Sequence, residues 1–220
     1  MNYAALVSAV SSYTENTFPT VDMNVFITQT EKRIYNAVQI PALRKNVTGI
    51  TTASNKYLAC PDDFLSSYSL AAISPTTGAY TYLLNKDVNF IREAYPKPTS
   101  TGSPKFYALF GPAVVSSVIT TELSFIIGPT PDAAYSMELH YYYYPESIVT
   151  ASTTWLGDNY DPVLLYGTLV EAYTYMKGEA DMIGLYDGKY KEAMGQLKRL
   201  GDGLERQDAY RSGQARVPVT

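Results

Sequence analysis

The chain has 220 residues, enough for one large domain or a domain with a substantial insertion, and a chain of this size buries roughly 70% of its unfolded surface without needing a staple. Its single cysteine, Cys60, excludes an intrachain disulfide and any multi-cysteine zinc site, and fits a reducing cytosol. A net charge of -4 and a pI near 5.0 argue against a general nucleic-acid binder, which needs clustered Lys and Arg.

The opening MNYAALVSAV lacks a basic lead-in, and no apolar run approaches the ~18 residues of a membrane span, so the chain is expected to be soluble and unprocessed. Asn46-Val47-Thr48 matches a glycosylation acceptor but has no secretion signal to accompany it. Tyrosine is the outlier of the composition, at 21 against 7 phenylalanines and a single tryptophan. It joins large contact area to a polar tip and is enriched at interfaces, so the total points to extensive partner-facing surface. Any one tyrosine serves equally well as an amphipathic strand residue.

Tyr3, Leu6, Val7 and Val10 form a helical stripe that should end near Thr17, where Phe18-Pro19 interrupts it. A second helix should start at Thr20 or Asp22, carry Val25, Phe26, Gln29, Arg33 and Ile34 at helical spacing, and close before Pro41. From Asn46 the period changes. Residues 47–52 and 56–59 flank Ala53-Ser54-Asn55 as a hairpin, Cys60-Pro61-Asp62-Asp63 makes a turn, and 66–74 is another strand. Pro75-Thr76-Thr77-Gly78 turns into a strand at 80–84, and Asp87 caps a short helix reaching Ala94. Pro96, Pro98, Gly102 and Pro104 mark a long surface loop. Strands follow at 105–110, 123–127 and 135–144, while 114–121 is β-branched enough for a strand whose partner is not assigned. In the last strand Met137, Leu139, Tyr141 and Tyr143 share the core face, with Glu138, His140, Tyr142 and Tyr144 on the other.

Asp161-Pro162 reads as a helix start, with the carboxylate as cap and proline at the first position. Leu165, Leu169, Ala172, Tyr173 and Met176 recur along it, and Val163, Tyr166 and Val170 widen the apolar face, which implies neighbours on more than one side. Asp181 caps a further helix whose stripe is Met182, Tyr186, Tyr190, Met194, Leu197 and Leu204. The expected fold class is α+β: a helical bundle built from the N- and C-terminal helices with an inserted antiparallel β domain. The expected divisions are 1–45 for the first bundle helices, 46–145 for the β domain, 146–206 for the closing helical hairpin, and 207–220 for an extended tail.

Residue types that carry catalysis are scarce. His140 is the only histidine, which removes paired-histidine metal sites and leaves any nucleophile–His arrangement dependent on one mid-strand ring. Gly184-Leu185-Tyr186-Asp187-Gly188-Lys189 has its glycines one residue too close for a phosphate loop, no Ser or Thr after the lysine, and a helical setting. Asp62-Asp63 and Asp158/Asp161 are the adjacent carboxylates, explained by a turn and a helix start. No enzyme, cofactor or metal is expected. Trp155 with the many tyrosines could form a sugar-stacking platform. After Arg206 the apolar stripe ends, Arg211 and Arg216 have no acid after Asp208, and the segment reads as a strap that orders on a partner.

The run Gly102-Ser103-Pro104-Lys105-Phe106-Tyr107-Ala108, then Gly128-Pro129-Thr130-Pro131-Asp132 with Glu138-Leu139 and Tyr141-Tyr142, then Thr154-Trp155-Leu156 and Tyr160-Asp161-Pro162 leading to Leu165-Tyr166-Gly167-Thr168-Leu169, resembles the head-to-tail adaptor (connector) proteins of short-tailed bacteriophages. The resemblance implies a structural virion protein at the portal–tail junction, made in the host cytoplasm. Its partners would be the portal protein, the tail nozzle protein and copies of itself in a homo-oligomer ring, commonly a dodecamer. Genomic DNA would pass through the lumen without sequence-specific contact. The portal-binding residues would be Arg206, Tyr210, Arg211, Arg216, Val217, Pro218 and Val219. The alternative reading is a sugar- or cell-surface-binding module of a phage tail.

Overall fold

The computed structural model describes residues 1–111, 113–115, 118–121 and 123–212. The chain divides into two compact units, one formed by Met1–Leu43 with the chain from Pro145 on, the other by Arg44–Tyr144. The fold class is α+β.

The helical unit opens with α1 (Tyr3–Thr14), where the Asn2 carboxamide accepts from the Ala5 amide at 2.9 Å and so satisfies a free first-turn donor. It ends at Glu15, three residues before Phe18-Pro19, and α2 (Thr20–Ala37) follows Pro19 directly. A 3₁₀ turn at Pro41–Leu43 ends this part of the unit.

The sheet unit holds β1 (Arg44–Ile50), β2 (Tyr57–Ala59), β3 (Phe64–Ile73), β4 (Tyr80–Tyr82), β5 (Leu84–Asn85), α3 (Val88–Ala94), β6 (Thr101–Gly102), β7 (Phe106–Phe110), β8 (Ala113–Val115), β9 (Val118–Thr121), β10 (Ser124–Gly128), β11 (Thr130–Pro131) and β12 (Ser136–Tyr143). One sheet runs β1-β12-β3-β4 and is antiparallel throughout; a second runs β2-β10-β7-β5. Their facing sides share a core in which Leu70, Met137, Leu139 and Tyr141 of the first meet Tyr107, Phe125 and Ile127 of the second. Each such aliphatic side chain contributes about 1.5–3 kcal/mol on burial. On the far side of the second sheet α3 packs Ile91 against Ala108 and Ile126. Gly128 permits that approach, since a methyl there would stand 2.8 Å from the Tyr95 ring and 2.9 Å from Ile91.

Three expectations for this region are corrected. Strands β1 and β2 do not pair as a hairpin but join different sheets, β1 with β12 and β2 with β10. The seven paired positions that β12 offers β1 outweigh the three that β2 could offer. The unit is also not purely antiparallel: β5 runs parallel to β7, and β6 parallel to β11. A parallel pair needs a crossover, and the helix α3 lies between β5 and β7 to supply it. The expected loop at 96–104 thus contains β6. In the unassigned stretch, β8 and β9 pair with each other.

The chain returns to the helical unit through α4 (Ile148–Ala151), α5 (Trp155–Asn159), α6 (Asp161–Tyr175) and α7 (Ala180–Ser212). Leu6, Ile27, Ile34, Leu164, Leu169, Tyr190 and Leu197 meet in one core drawn from α1, α2, α6 and α7. The wide apolar face of α6 finds α1, α2 and α7 on its several sides. Gly167 lets α6 approach: a methyl there would stand 2.4 Å from Thr30 and 3.0 Å from Tyr190. Two caps are corrected. Asp161 lies inside the first turn of α6, behind Tyr160, and Asp181 lies inside the first turn of α7, where Glu179 O accepts from Met182 and Ile183. The extended tail from 207 is corrected too, because α7 continues to Ser212. Gln207, Ala209 and Arg211 are good helix formers, and no Gly or Pro interrupts until Gly213.

Candidate assembly surface

The outward face of the β1-β12-β3-β4 sheet carries a group of aromatic side chains, of which Tyr68, Tyr80 and Tyr82 are exposed and Tyr142 is buried. Register places Glu138, His140 and Tyr142 of β12 beside Thr48, Asn46 and Arg44 of β1. A bulge in β3 opposite His140 and Tyr141 leaves Tyr68 as the extra residue, and its ring meets His140 edge-on at 5.2 Å and Tyr142 at 6.4 Å. The Arg44 guanidinium lies over Tyr68 at 3.9 Å and over Tyr142 at 5.0 Å, and donates to the Tyr142 hydroxyl at 2.6 Å. Tyr80 and Tyr82 of β4 stack on each other at 6.4 Å and are 50% and 69% exposed. Tyr80 donates to Glu138 at 3.4 Å.

The opposite face of the same strands anchors this surface. Asp63 accepts from Lys45 Nζ at 2.6 Å and from the Tyr141 hydroxyl at 2.7 Å. Partial burial pushes the Asp63 carboxyl up, but these two bonds and the lysine charge outweigh it and hold it below the usual carboxylate value. Burial and the Asp63 contact push the Tyr141 hydroxyl well above the ordinary phenol.

Asp62-Asp63 is therefore a bonded turn, as its sequence implies. His140 is half-buried, and burial with the Arg44 charge lowers its pKa, so the ring is neutral at pH 7 and packs against Tyr68. Gly184 to Lys189 lie inside α7. Among the described residues no group of three or more His, Cys, Asp or Glu is placed to hold a metal ion, and no helix is long and apolar enough to cross a membrane. Of the expected portal-binding residues, Arg206, Tyr210 and Arg211 fall on the last turns of α7, and Arg216, Val217, Pro218 and Val219 lie outside the described residues. Sequence reasoning missed the Arg44–Tyr68–Tyr142 cluster and the Tyr80–Tyr82 pair. The signal available was the alternation Tyr80-Thr81-Tyr82, which puts both rings on one face of a short strand.

Of the two rings clasped by Arg44, Tyr142 is buried and Tyr68 is exposed; an exposed ring braced in this way, on the same sheet as Tyr80 and Tyr82, suits a protein that docks onto other proteins. The model of the SU10 adaptor protein family matches residues 1–218, across both units, and the chain belongs to that family of bacteriophage adaptors. It is accordingly a structural virion component that works with other head or tail proteins. No curated protein matches the chain.

Proposed function

We propose that the chain is one subunit of a ring-shaped adaptor, a dodecamer, that joins the portal vertex to the tail nozzle and forms part of the DNA channel. The observation that carries this reading is the family match, which runs through the helical unit, the sheet unit and most of the C-terminal segment. In this reading the terminal helices form the bundle that stacks around the ring, and the segment beyond Arg206 reaches the portal through Tyr210, Arg211, Arg216 and Val217 to Val219. Arginine and tyrosine are the side chains that most often dominate binding energy at such contacts. Each copy engages two neighbours and a portal subunit, so moderate contacts add up to a stable collar. An overall charge of -4 suits a lumen through which DNA slides without adhering.

Deletion of residues after Gln207 is expected to leave the melting temperature unchanged, to lower the helical circular dichroism signal only by the last turn of α7 that it removes, and to abolish sedimentation with purified portal. A second deletion, after Ser212, separates the contribution of the helical end from that of residues 213–220. Full portal attachment by the shorter chain sinks the proposed strap.

A further inference from the structure

The β1-β12-β3-β4 sheet has two edges without a neighbouring strand among the described residues, β1 and β4. Backbone hydrogen-bonding direction alternates along a strand, so half of the groups on an edge point away from its own sheet. On β4, Leu83 N donates to Leu70 and Ala79 O accepts from Ser74, both towards β3, which leaves the N–H and C=O of Tyr80 and Tyr82 pointing outward. On β1, Thr51 N donates to Tyr135, which turns residues 45, 47 and 49 towards β12 and leaves Asn46, Thr48 and Ile50 pointing outward.

Strand parity then does the matching. Three antiparallel steps make β1 and β4 run in opposite directions. A second copy brought alongside with the same sheet face outward therefore offers its β1 antiparallel to β4, donor to acceptor, with Thr48 and Ile50 on the face that carries Tyr80 and Tyr82. The second sheet differs, since its two antiparallel steps and one parallel step leave the edge strands β2 and β5 running the same way, and it takes no part in the pairing. The chain steps from β4 to β5 through buried Leu83 and from β1 to β2 through one turn, and those ends expose Leu84 at 59% and Tyr57 at 41%.

We propose that β4 of one copy pairs with β1 of a second copy, Tyr80 opposite Ile50 and Tyr82 opposite Thr48, so that the sheet continues from subunit to subunit. Aromatic–β-branched cross-strand pairs favour this register. The contact is head-to-tail, the kind that repeats around a ring when the rotation between copies closes, and the proposal rests on the ring reading of the protein's function. A three-residue strand with its flanking rings is far smaller than the ~1,200 Å² of a stable complex, so the free chain stays monomeric and the pair forms when copies are held side by side.

The test uses full-length chain carrying both Thr48→Cys and Tyr82→Cys, assembled into phage particles and then oxidised. Directly opposed residues bring their Cα atoms to about 5.5 Å, within the disulfide range. Cys60 is buried, with its thiol pushed up to about 12, and does not compete. The expected result is a ladder of covalent multimers that collapses on reduction, with monomer alone from either single variant. In parallel, Tyr82→Pro removes one outward N–H and no bond to β3. It is expected to lower incorporation into particles at least 10-fold while the far-ultraviolet spectrum is unchanged. Particles with a full complement of chain, no ladder and normal incorporation of Tyr82→Pro overturn the edge pairing and leave the ring intact. A chain present singly in particles, or absent from them, overturns both.

Discussion

Glu31 is the residue whose chemistry is most at odds with its place. It is 3% exposed in the helical core, where its carboxylate accepts from the Ile148 amide at 2.9 Å and so ties α2 to the start of α4. Burial raises its pKa above the ordinary 4.5, and the bonds from Ile148 and Ser147 offset only part of that. A carboxyl whose folded-state pKa is raised binds its proton more tightly when folded. Its penalty is absent below the unfolded pKa and grows as pH rises from about 4.5 through the folded value. Glu31→Gln, which keeps an acceptor for Ile148, is expected to flatten the fall in stability above pH 4.5 in denaturant titrations. Glu31→Ala leaves that amide unbonded and is expected to cost about 1–3 kcal/mol. Asp63 has the opposite sign: its contribution is present above the unfolded carboxylate pKa and is lost as pH falls through the lower folded value. At this scale the sequence was partly legible. The alternation of Met137, Leu139, Tyr141 and Tyr143 announced the core face of β12: the first three are buried and Tyr143 is half-buried against the same core, whereas Tyr142, expected on the other face, is buried as well. The Arg44–Tyr68–Tyr142 cluster was not legible, because its members are far apart in sequence and Tyr68 reaches that face only through a bulge.

Helix α7 shows how one residue type takes opposite roles along a single element. A methyl at Gly184, Gly188 or Gly195 would meet nothing within 4 Å, whereas one at Gly201 would stand 3.3 Å from the Gln39 carbonyl. Interior glycine costs a helix about 1 kcal/mol relative to alanine. Gly184→Ala and Gly188→Ala are therefore each expected to raise the free energy of unfolding by about 0.8–1 kcal/mol. Gly167→Ala in α6, pressed against Thr30 and Tyr190, is expected to lower it by about 1–3 kcal/mol. Chemical denaturation of the three variants side by side checks the sign. Proline and capping chemistry made most helix starts legible: Pro19 before α2, Asp87 before α3 and Pro162 in α6. Strand partners were less so, since β1 and β2 look like a hairpin locally and are separated by the longer-range pull of β12 and β10. The end of α7 was not legible, because the apolar stripe stops at Leu204 while polar helix formers carry the helix on to Ser212.

For the molecule as a whole, each unit has its own core: in the sheet unit twelve of the described residues, from Cys60 to Tyr141, are buried together. The peptide 44–144 is expected to fold alone and to show a cooperative thermal transition in the tyrosine near-ultraviolet signal. A featureless, non-cooperative melt would show that the sheets depend on the helices. This independence has a geometric root in the first and last strands of the unit, where Arg44 sits directly opposite Tyr142. Opposed residues of antiparallel strands are about 5 Å apart, so the polypeptide departs and comes back through what is in effect a single doorway. A sheet of another size or make could be spliced in at that doorway without rerouting the helices, leaving the two units free to diversify on separate schedules.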